Sequence, residues 1–394
     1  MTALPEPSQE QQSHSQQLLQ IIQQEIKAAG GQIGFEQYMA MALYQPGLGY
    51  YAAGLQKFGA SGDFITSPEV SPLFAQSLAR QVQQVMTELD EPVLIEFGAG
   101  SGILAVDLLM ELEVLDSLPS AYWIIEVSAE LQQRQQNKIK ESCEHLLDKV
   151  VWLQQLPEQS TDAVVIANEV LDAMPVVAFE KQQAELFERM IADDDHRLGW
   201  ALQPASEKLQ AAVAEIEKSI EYPLPENYRS EYNPSIKPWL KSLSDLVKKG
   251  LVLLIDYGYD AKQYYSEERI MGTMMCYYQH RAHDDVFFYP GLQDITAFVD
   301  FTAVAEAAVS SDFDVMGYTT QAQFLFGSGL PEIFEKKMAQ FSEDEIKQQV
   351  YLSQQVKTLT LPSEMGERFK VMALGKNIES GLIGFSIADF RTRL

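Results

Sequence analysis

One short stretch constrains this chain more than any other: an apolar run with an acid, followed by three glycines. Val93–Phe97 is apolar apart from Glu96, and Gly98, Gly100 and Gly102 follow at alternate positions. A buried parallel strand has this composition, and glycines directly behind it allow a tight turn and the close approach of a ligand. We therefore predict a strand, a turn that binds a nucleotide-type cofactor and a helix. A turn without a ligand is the alternative.

The spacing of the glycines separates the classes of cofactor. The dinucleotide fingerprint needs a third glycine where Ile103 stands, and only the shifted frame Gly100-x-Gly102-x-x-Ala105 fits its looser form. No Gly-Lys-Ser/Thr follows the turn, which excludes a P-loop. The full pattern, Glu-x-Gly-x-Gly-x-Gly, resembles the first motif of class I S-adenosylmethionine-dependent methyltransferases. That cofactor carries an ammonium group and a ribose, so a carboxylate near the turn is a suitable partner.

A second apolar run, Ala121–Ile125, precedes Glu126, 28 residues after Gly98. An acid at the tip of the neighbouring strand of a doubly wound sheet can accept hydrogen bonds from ribose hydroxyls. The alternative is a solvated acid before a helix N-terminus, where the macrodipole favours a negative charge. With the glycine turn upstream, we expect the ribose role.

The third and fourth strands are expected at 150–153 and 162–167, and the fourth runs into Asn168, Glu169 and, three residues on, Asp172. Ligands of open α/β sheets bind beyond the carboxyl ends of the strands, so these side chains should face the cofactor pocket. If the segment turns helically, both carboxylates lie on one face and could hold a guanidinium. A capped helix start with acids in its first turn fits the sequence equally well.

The parallel pattern resumes later in the chain. A helix is expected at 238–249, ended by Gly250, and 251–256 reads as a fifth buried strand that ends at Asp256. In class I methyltransferases the last strand enters antiparallel, and we expect the same here. The remaining strands of the sheet are expected at 313–318 and 369–374.

Several longer motifs occur in order: Gly62–Phe74, Glu96–Gly102, Asn168–Pro175, Ile255–Gly258, Gly272–Thr273, His280–Arg281, Asp284–Asp285 and Val299–Thr302. Over residues 30 to 375 the chain resembles the MidA family of methyltransferases, whose eukaryotic relatives are mitochondrial assembly factors for respiratory complex I. The resemblance implies an α/β Rossmann-like doubly wound sheet, S-adenosyl-L-methionine as cofactor, methylation of a protein arginine, and a homodimer. Residues 274–279 depart from the family, in which glycine or arginine often stands there, so the acceptor stays open.

Candidate site residues follow from these motifs. Glu169 and Asp172 would hold the guanidinium of the acceptor, and Asp256 or His280 would accept its proton. The cofactor would be bound by Glu96, Gly98, Gly100, Gly102, Glu126, Asn168, Thr66 and Glu69.

Thr66 and Glu69 lie with Asp63 in a long loop between Tyr50 and Pro72. Loops of this length in compact domains are usually functional or disordered, so these side chains could close over the cofactor. An ordinary Asx or ST turn is the alternative.

The 394-residue chain is long enough for two to three domain-sized units. Short alternating runs at 184–191 and 198–202, separated by three aspartates, indicate an antiparallel hairpin inserted after the fourth strand. We divide the chain into a disordered tail (1–15), an N-terminal helical cap and lid (16–90), a methyltransferase core (91–175, 236–258 and 301–376), two substrate-recognition insertions (176–235 and 259–300) and a C-terminal tail (377–394).

Charge and cysteine content narrow the function classes. Lys and Arg total 29 against 56 Asp and Glu, and the formal charge of −27 disfavours nucleic acid and anionic membranes as partners. A protein partner is more plausible. Cys143 and Cys276 lack CxxC spacing, so we expect a reducing compartment without disulfides or zinc. We also assign no metal to His280, His283 and Asp284.

The first 25 residues lack arginine and an apolar core, and no run of about 18 apolar residues occurs, so we expect a cytoplasmic protein without a membrane span. Two other functions stay open beside protein-arginine methylation. One is a cofactor-binding assembly factor without turnover, and the other is a small-molecule methyltransferase. An NAD-dependent oxidoreductase is a weaker alternative.

Overall fold

The computed structural model describes residues 4–53, 65–195, 197–342 and 344–394. The chain divides into two compact units. The first unit consists of the described residues of Met1–Phe64, Leu171–Ile236 and Tyr259–Ala303, and the second of those in Ile65–Val170, Lys237–Gly258 and Val304–Leu394.

The described helices are α1 (Gln9–Ala28), α2 (Phe35–Tyr44), α3 (Ser67–Val70), α4 (Pro72–Met86), α5 (Ile103–Val114), α6 (Ala129–Cys143), α7 (Glu207–Ile220), α8 (Ile236–Leu246), α9 (Ala261–Tyr264), α10 (Phe301–Val309), α11 (Gln321–Gly327), α12 (Leu330–Met338), α13 (Ile346–Thr360) and α14 (Met365–Arg368), with 3-10 turns at Glu144–Lys149, Ile383–Phe385 and Arg391–Arg393. Within the described ranges, none of these helices combines the length and apolar character that a membrane crossing requires.

The described strands are β1 (Gln32–Gly34), β2 (Val93–Phe97), β3 (Ala121–Ile125), β4 (Val150–Leu153), β5 (Thr161–Asn168), β6 (Val177–Gln182), β7 (Glu185–Asp194), β8 (Arg197–Pro204), β9 (Tyr228–Tyr232), β10 (Val247–Tyr259), β11 (Met275–Tyr278), β12 (Arg281–His283), β13 (Asp294–Thr296), β14 (Val299–Asp300), β15 (Asp314–Thr320) and β16 (Phe369–Lys376).

A mostly parallel sheet forms the centre of the second unit. Its strands lie in the order β15, β16, β10, β5, β2, β3 and β4. The neighbours from β10 to β4 pair in parallel, whereas β16 pairs antiparallel with both β10 and β15. The expected α/β doubly wound sheet with an antiparallel last strand is confirmed.

The core of the second unit explains why these strands read as apolar runs. Every residue of β2 is buried, and β5 and β10 bury their central residues on both faces. Helix α4 contributes Leu78, Val82 and Val85 to the same core. The predicted N-terminal segment 16–90 is therefore not one unit, because from Ile65 onward it belongs to the second unit.

The first unit contains two smaller sheets. Strands β1, β7, β6 and β9 are neighbours in that order, β8 pairs with β7, and β12, β11 and β13 form a separate sheet. β7 and β8 form the antiparallel pair expected from the alternating runs. Leu18, Ile22 and Tyr38 lie in one apolar cluster of this unit, and Leu209 and Tyr264 lie in another.

Both predicted tails are wrong in part. Helix α1 begins at Gln9, because the Ser8 hydroxyl accepts from the Gln11 N–H and the Gln11 side chain accepts from the Ser8 N–H. Such a capping box satisfies two backbone donors that a helix start leaves unpaired. At the other end, Phe385 is buried against Phe324 in a T-shaped contact, so the segment after Lys376 is packed rather than loose.

The strand β10 begins earlier than predicted. Helix α8 ends at Leu246, and Val247 already pairs with Thr161 of β5, so Gly250 lies inside the strand and does not end a helix. Gly250 has a φ of 148°, and a Cβ atom there would overlap the carbonyl oxygen of Ala163. Only glycine lets β10 lie this close to β5 at that point.

We expect Gly250→Ala to destabilise the protein by about 3 kcal/mol, since the overlapping atom is main chain of the central sheet and cannot move aside. The matched control is Gly381→Ala in the same unit, where nothing lies within 4 Å of an added Cβ. Urea unfolding followed by circular dichroism measures both variants. Equal midpoints for the two would contradict this account of β10.

Candidate functional site

The glycine turn lies at the carboxyl end of β2, where a ligand of an open α/β sheet is expected. Gly98, Gly100 and Gly102 have φ values of 61°, 53° and 82°, which side-chain-bearing residues rarely adopt. The Gly98 N–H donates to the carbonyl oxygen of Ile125 at 3.1 Å, so the turn is tied to the end of β3. Helix α5 then begins at Ile103.

The side chain of Gln135 is hydrogen-bonded to this turn. The side chain is fully buried, and its Nε2 donates to the carbonyl oxygen of Gly100 and to Glu126 Oε2, each at 3.1 Å. Its Oε1 accepts from Trp152 Nε1 at 3.0 Å. A Cβ atom on Gly102 would lie 3.1 Å from the Cα of Gln135, so the turn and α6 are in close contact.

The sequence reasoning missed Gln135, although a signal was present. Leu131, Gln135 and Ile139 follow one another at four-residue spacing and are all buried on α6. A polar residue on the apolar stripe of a helix needs hydrogen-bond partners inside the protein. The partners here are the glycine turn and Glu126.

Glu126 follows β3 and is 7% exposed. Besides Gln135, its carboxylate accepts from the backbone N–H of Ser128 at 2.9 Å, and Ser128 caps α6. The acid is thus held at the tip of β3 beside the glycine turn and before α6, and because it is buried it is not the solvated acid that the alternative assumed. The contact with a ribose stays a prediction.

Glu96 lies inside β2 and is 2% exposed. Tyr122 donates its hydroxyl to Glu96 Oε2 at 2.7 Å. Burial raises the pKa of Glu96 to about 7; the Tyr122 hydrogen bond opposes this rise and the nearby charge of Glu126 adds to it. A cation such as an ammonium group near this carboxyl would favour its ionised form.

Asn168 is the last residue of β5, and only one of its two side-chain polar atoms is hydrogen-bonded within the described residues. Its Nδ2 donates to Glu169 Oε1 at 3.1 Å, whereas its buried Oδ1 has no hydrogen-bond partner among the described residues. Buried polar side-chain atoms in native proteins are nearly always paired, so this oxygen is suited to a donor on a ligand.

The segment around Glu69 is partly helical instead of a plain loop. Ser67–Val70 form α3, and Glu69 Oε1 accepts from the hydroxyl of Ser101 in the glycine turn. Thr66 is the N-cap residue of α3 and makes no capping hydrogen bond with its side chain. The structure thus places Glu69 at the turn and Thr66 one helical turn before it. Asp63 lies outside the described residues.

Glu169 stands directly beyond β5 in a left-handed conformation with a φ of 54°. Its N–H donates to the carbonyl oxygen of Ile255 at 2.9 Å, and its Oε1 accepts from Asn168 and from the N–H of Ser67 at 3.4 Å. The helical turn assumed for Glu169 and Asp172 is therefore wrong, because a left-handed residue cannot continue a right-handed helix.

Asp256 is fully buried on β10. Its Oδ2 accepts from the N–H of Val170 at 3.2 Å and its Oδ1 from the N–H of Tyr257 at 2.8 Å. Both oxygens are engaged with main chain, so Asp256 fixes the turn that follows Glu169. Its expected role as a proton acceptor stays a prediction.

Asp172 and His280 belong to the first unit. Asp172 is 6% exposed, and its carbonyl oxygen accepts from the N–H of Ala297 at 3.0 Å. His280 is exposed at the tip of the hairpin of β11 and β12, where Gln279 and His280 both have positive φ. Within the described ranges, no group of three or more His, Cys, Asp or Glu side chains could hold a metal ion.

The described residues fit a cofactor with an ammonium group and a ribose. The glycines leave room for close backbone approach, Glu96 is the penultimate residue of β2, and Glu126 directly follows the neighbouring strand β3. Asn168 Oδ1 lacks a partner among the described residues. Such a set can pair one cation and several hydroxyl or amino donors.

Comparisons with known proteins agree with this geometry. A family model of S-adenosyl-L-methionine-dependent methyltransferases matches residues 77–319. A crystal structure of a Burkholderia thailandensis protein bound to S-adenosyl-homocysteine is 38% identical, with a TM-score of 0.93 and full coverage of both chains. The mitochondrial protein arginine methyltransferase NDUFAF7 of Rattus norvegicus is 27% identical over 92% of this chain and 85% of its own, and that of Xenopus laevis is 28% identical over 87% and 81%.

Glu96→Gln should change how stability depends on pH. The pKa of Glu96 is raised in the folded state, so its protonated form stabilises the fold at acidic pH and this stabilisation is lost as the pH rises through about 7. Glutamine does not titrate. Between pH 5 and pH 8.5 the variant without cofactor should therefore gain up to about 3 kcal/mol relative to wild type in urea unfolding. Parallel pH curves for the two proteins would refute the assignment.

Gln135→Leu should weaken binding of S-adenosylhomocysteine by about tenfold or more, because the glycine turn and Glu126 lose a shared donor. Gln133→Leu is the control, since Gln133 is exposed on the same helix. Calorimetric titration of both folded variants measures the difference. Equal affinities would show that Gln135 supports the fold alone.

Proposed function

Because the chain belongs to the MidA family of S-adenosyl-L-methionine-dependent methyltransferases, we propose that it methylates an arginine side chain of a protein partner. Its cofactor is S-adenosyl-L-methionine. The NDUFAF7 relatives, which are protein arginine methyltransferases, support the choice of acceptor. The acidic composition, with a formal charge of −27, also suits a partner that presents a cationic side chain.

The observation that carries the proposal is the geometry at Glu169. A residue other than glycine held at positive φ costs free energy, and such residues cluster at functional sites. Here the strained residue directly follows Asn168, whose Oδ1 lacks a partner, and its carboxylate is oriented by two N–H donors. A carboxylate fixed in this way can bind a guanidinium through charge-assisted hydrogen bonds.

When bound, S-adenosyl-L-methionine supplies a methyl group already activated by its sulfonium, so the protein mainly has to align the acceptor. A guanidinium has a pKa above about 12 and must lose a proton as the new nitrogen–carbon bond forms. Glu169 would hold the guanidinium and keep its positive charge away from the attacking nitrogen. Asp256, which belongs to the same unit as Glu169, would accept the proton. The roles expected for Asp172 and His280 stay predictions from the sequence.

The location in the cell belongs to the same proposal. We propose a cytoplasmic enzyme, and its two cysteines, Cys143 and Cys276, are buried and unpaired, which suits a reducing compartment.

Glu169→Gln should bind S-adenosylhomocysteine as tightly as wild type but lose at least about a hundredfold in methyl transfer, because the amide has the same shape without the charge. Incubation with isotope-labelled S-adenosylmethionine and protein extract, followed by mass spectrometry of labelled arginine, measures the transfer. Label in a small molecule instead would identify a small-molecule methyltransferase. Cofactor binding without any label would favour an assembly factor, and undiminished transfer by the variant would remove Glu169 from the site.

A further inference from the structure

We propose that two glutamines, Gln321 and Gln355, are positioning residues that clamp the segment Ser67–Ser71 and through it place Glu69 and Glu169. For Glu69 the inference concerns the cofactor turn alone, whereas for Glu169 it rests on the proposed function. Both glutamines lie more than 200 residues from the segment along the chain, and all of these residues belong to the second unit.

The first half of the clamp is a buried hydrogen bond between Ser67 and Gln321. Neither side chain is exposed to solvent, and the Ser67 hydroxyl donates to Gln321 Oε1 at 2.9 Å. Gln321 Nε2 in turn donates to the carbonyl oxygen of Leu359 at 3.0 Å, which connects α11 to α13. The Ser67 hydroxyl also lies 3.6 Å from Met365 Sδ, a weak acceptor, so loss of Gln321 removes its strong partner, and loss of Ser67 removes the donor to the buried Gln321 Oε1.

The second half lies at the other end of the segment. The Ser71 hydroxyl donates to Gln355 Oε1 at 3.1 Å, and Gln355 Nε2 donates to the carbonyl oxygen of Val70 at 2.6 Å. Gln355 belongs to α13. Helix α13 therefore contains Gln355, and the carbonyl oxygen of its Leu359 also accepts the hydrogen bond from Gln321.

The segment cannot hold its own shape. Helix α3 has four residues and its N-cap residue, Thr66, supplies no side-chain hydrogen bond. A single helical turn is unstable in water without tertiary contacts. Its position must therefore come from contacts with the rest of the second unit, among which the two glutamines bond both of its ends.

The segment Ser67–Ser71 provides hydrogen-bond partners to two parts of the site, so both depend on its position. The Ser67 N–H donates to Glu169 Oε1 at 3.4 Å, and Glu69 accepts from Ser101 within the glycine turn. A shift of the segment would displace a donor to the carboxylate proposed to bind the guanidinium and, at the same time, a partner of the cofactor turn. Displacements of about 1 Å in such a site can cost about a hundredfold in rate.

The test compares Gln321→Leu with Gln81→Leu. Gln81 is equally buried in the second unit and accepts from the N–H of Gly384 at 3.0 Å. Both variants should lose stability in urea unfolding. Only Gln321→Leu should lose about tenfold in affinity for S-adenosylhomocysteine, measured by calorimetry on folded protein, and about a hundredfold in kcat for methyl transfer. If the two variants keep the same affinity, Gln321 is structural and the inference is overturned.

A double-mutant cycle isolates the hydrogen bond itself. Ser67→Ala and Gln321→Leu each remove one partner, so the double variant should lose no more cofactor affinity than the weaker-binding single variant. Fully additive losses would show that the bond is not the cause. The measurement of cofactor affinity does not depend on the methyl acceptor. If wild type labels no protein arginine but Gln321→Leu still binds S-adenosylhomocysteine more weakly than Gln81→Leu, the proposed function is wrong and the positioning role of Gln321 is retained.

Discussion

The site depends on one constraint, the burial of a parallel sheet on both faces. Strands such as β2 and β5 are covered on both sides, so polar chemistry is confined to the ends of the strands. Glu126, Asn168 and Asp256 all stand at or near carboxyl ends, and the glycine turn occupies the end of β2. Because the carboxyl ends of parallel strands lie on the same side of the sheet, residues far apart in sequence are brought together there without long loops.

The polar groups at this edge are ordered by hydrogen bonds to main chain and to one another. Gln135 connects the glycine turn to Glu126, and Asp256 fixes the turn behind Glu169. Such networks are favourable only when nearly every member is paired. Asn168 Oδ1 is one of several buried polar atoms of the second unit without a partner among the described residues, and it is the one that lies beside the strained residue Glu169.

The strands of the central sheet and the cofactor turn could be predicted from the sequence. Strands buried on both faces are runs of apolar residues, and a turn with positive φ values is rich in glycine. For Gln135 the apolar stripe of α6 was a signal that a buried glutamine needs partners, but it did not say which. The roles of Gln321 and Gln355 could not be predicted, since they depend on partners far away in the sequence. The role of Gly250 was also predicted wrongly, because a glycine that allows close contact between strands and a glycine that ends a helix cannot be told apart in the sequence. The conformation of Glu169 had no local signal, since the contacts that hold it come from β10 and α3.

The position of β16 has a consequence for how the protein is made. This strand comes last in the chain but lies between β10 and β15, so β15 has no neighbour in the sheet until residues 369–376 have left the ribosome. Until then β15 and residues 250–257 of β10 lack the strand that they pair with in the folded protein, and unpaired backbone edges are prone to association with other chains. The last strand is therefore both a structural element and a protection of the nascent chain against aggregation, and its pairing is expected to be a late and slow step of folding.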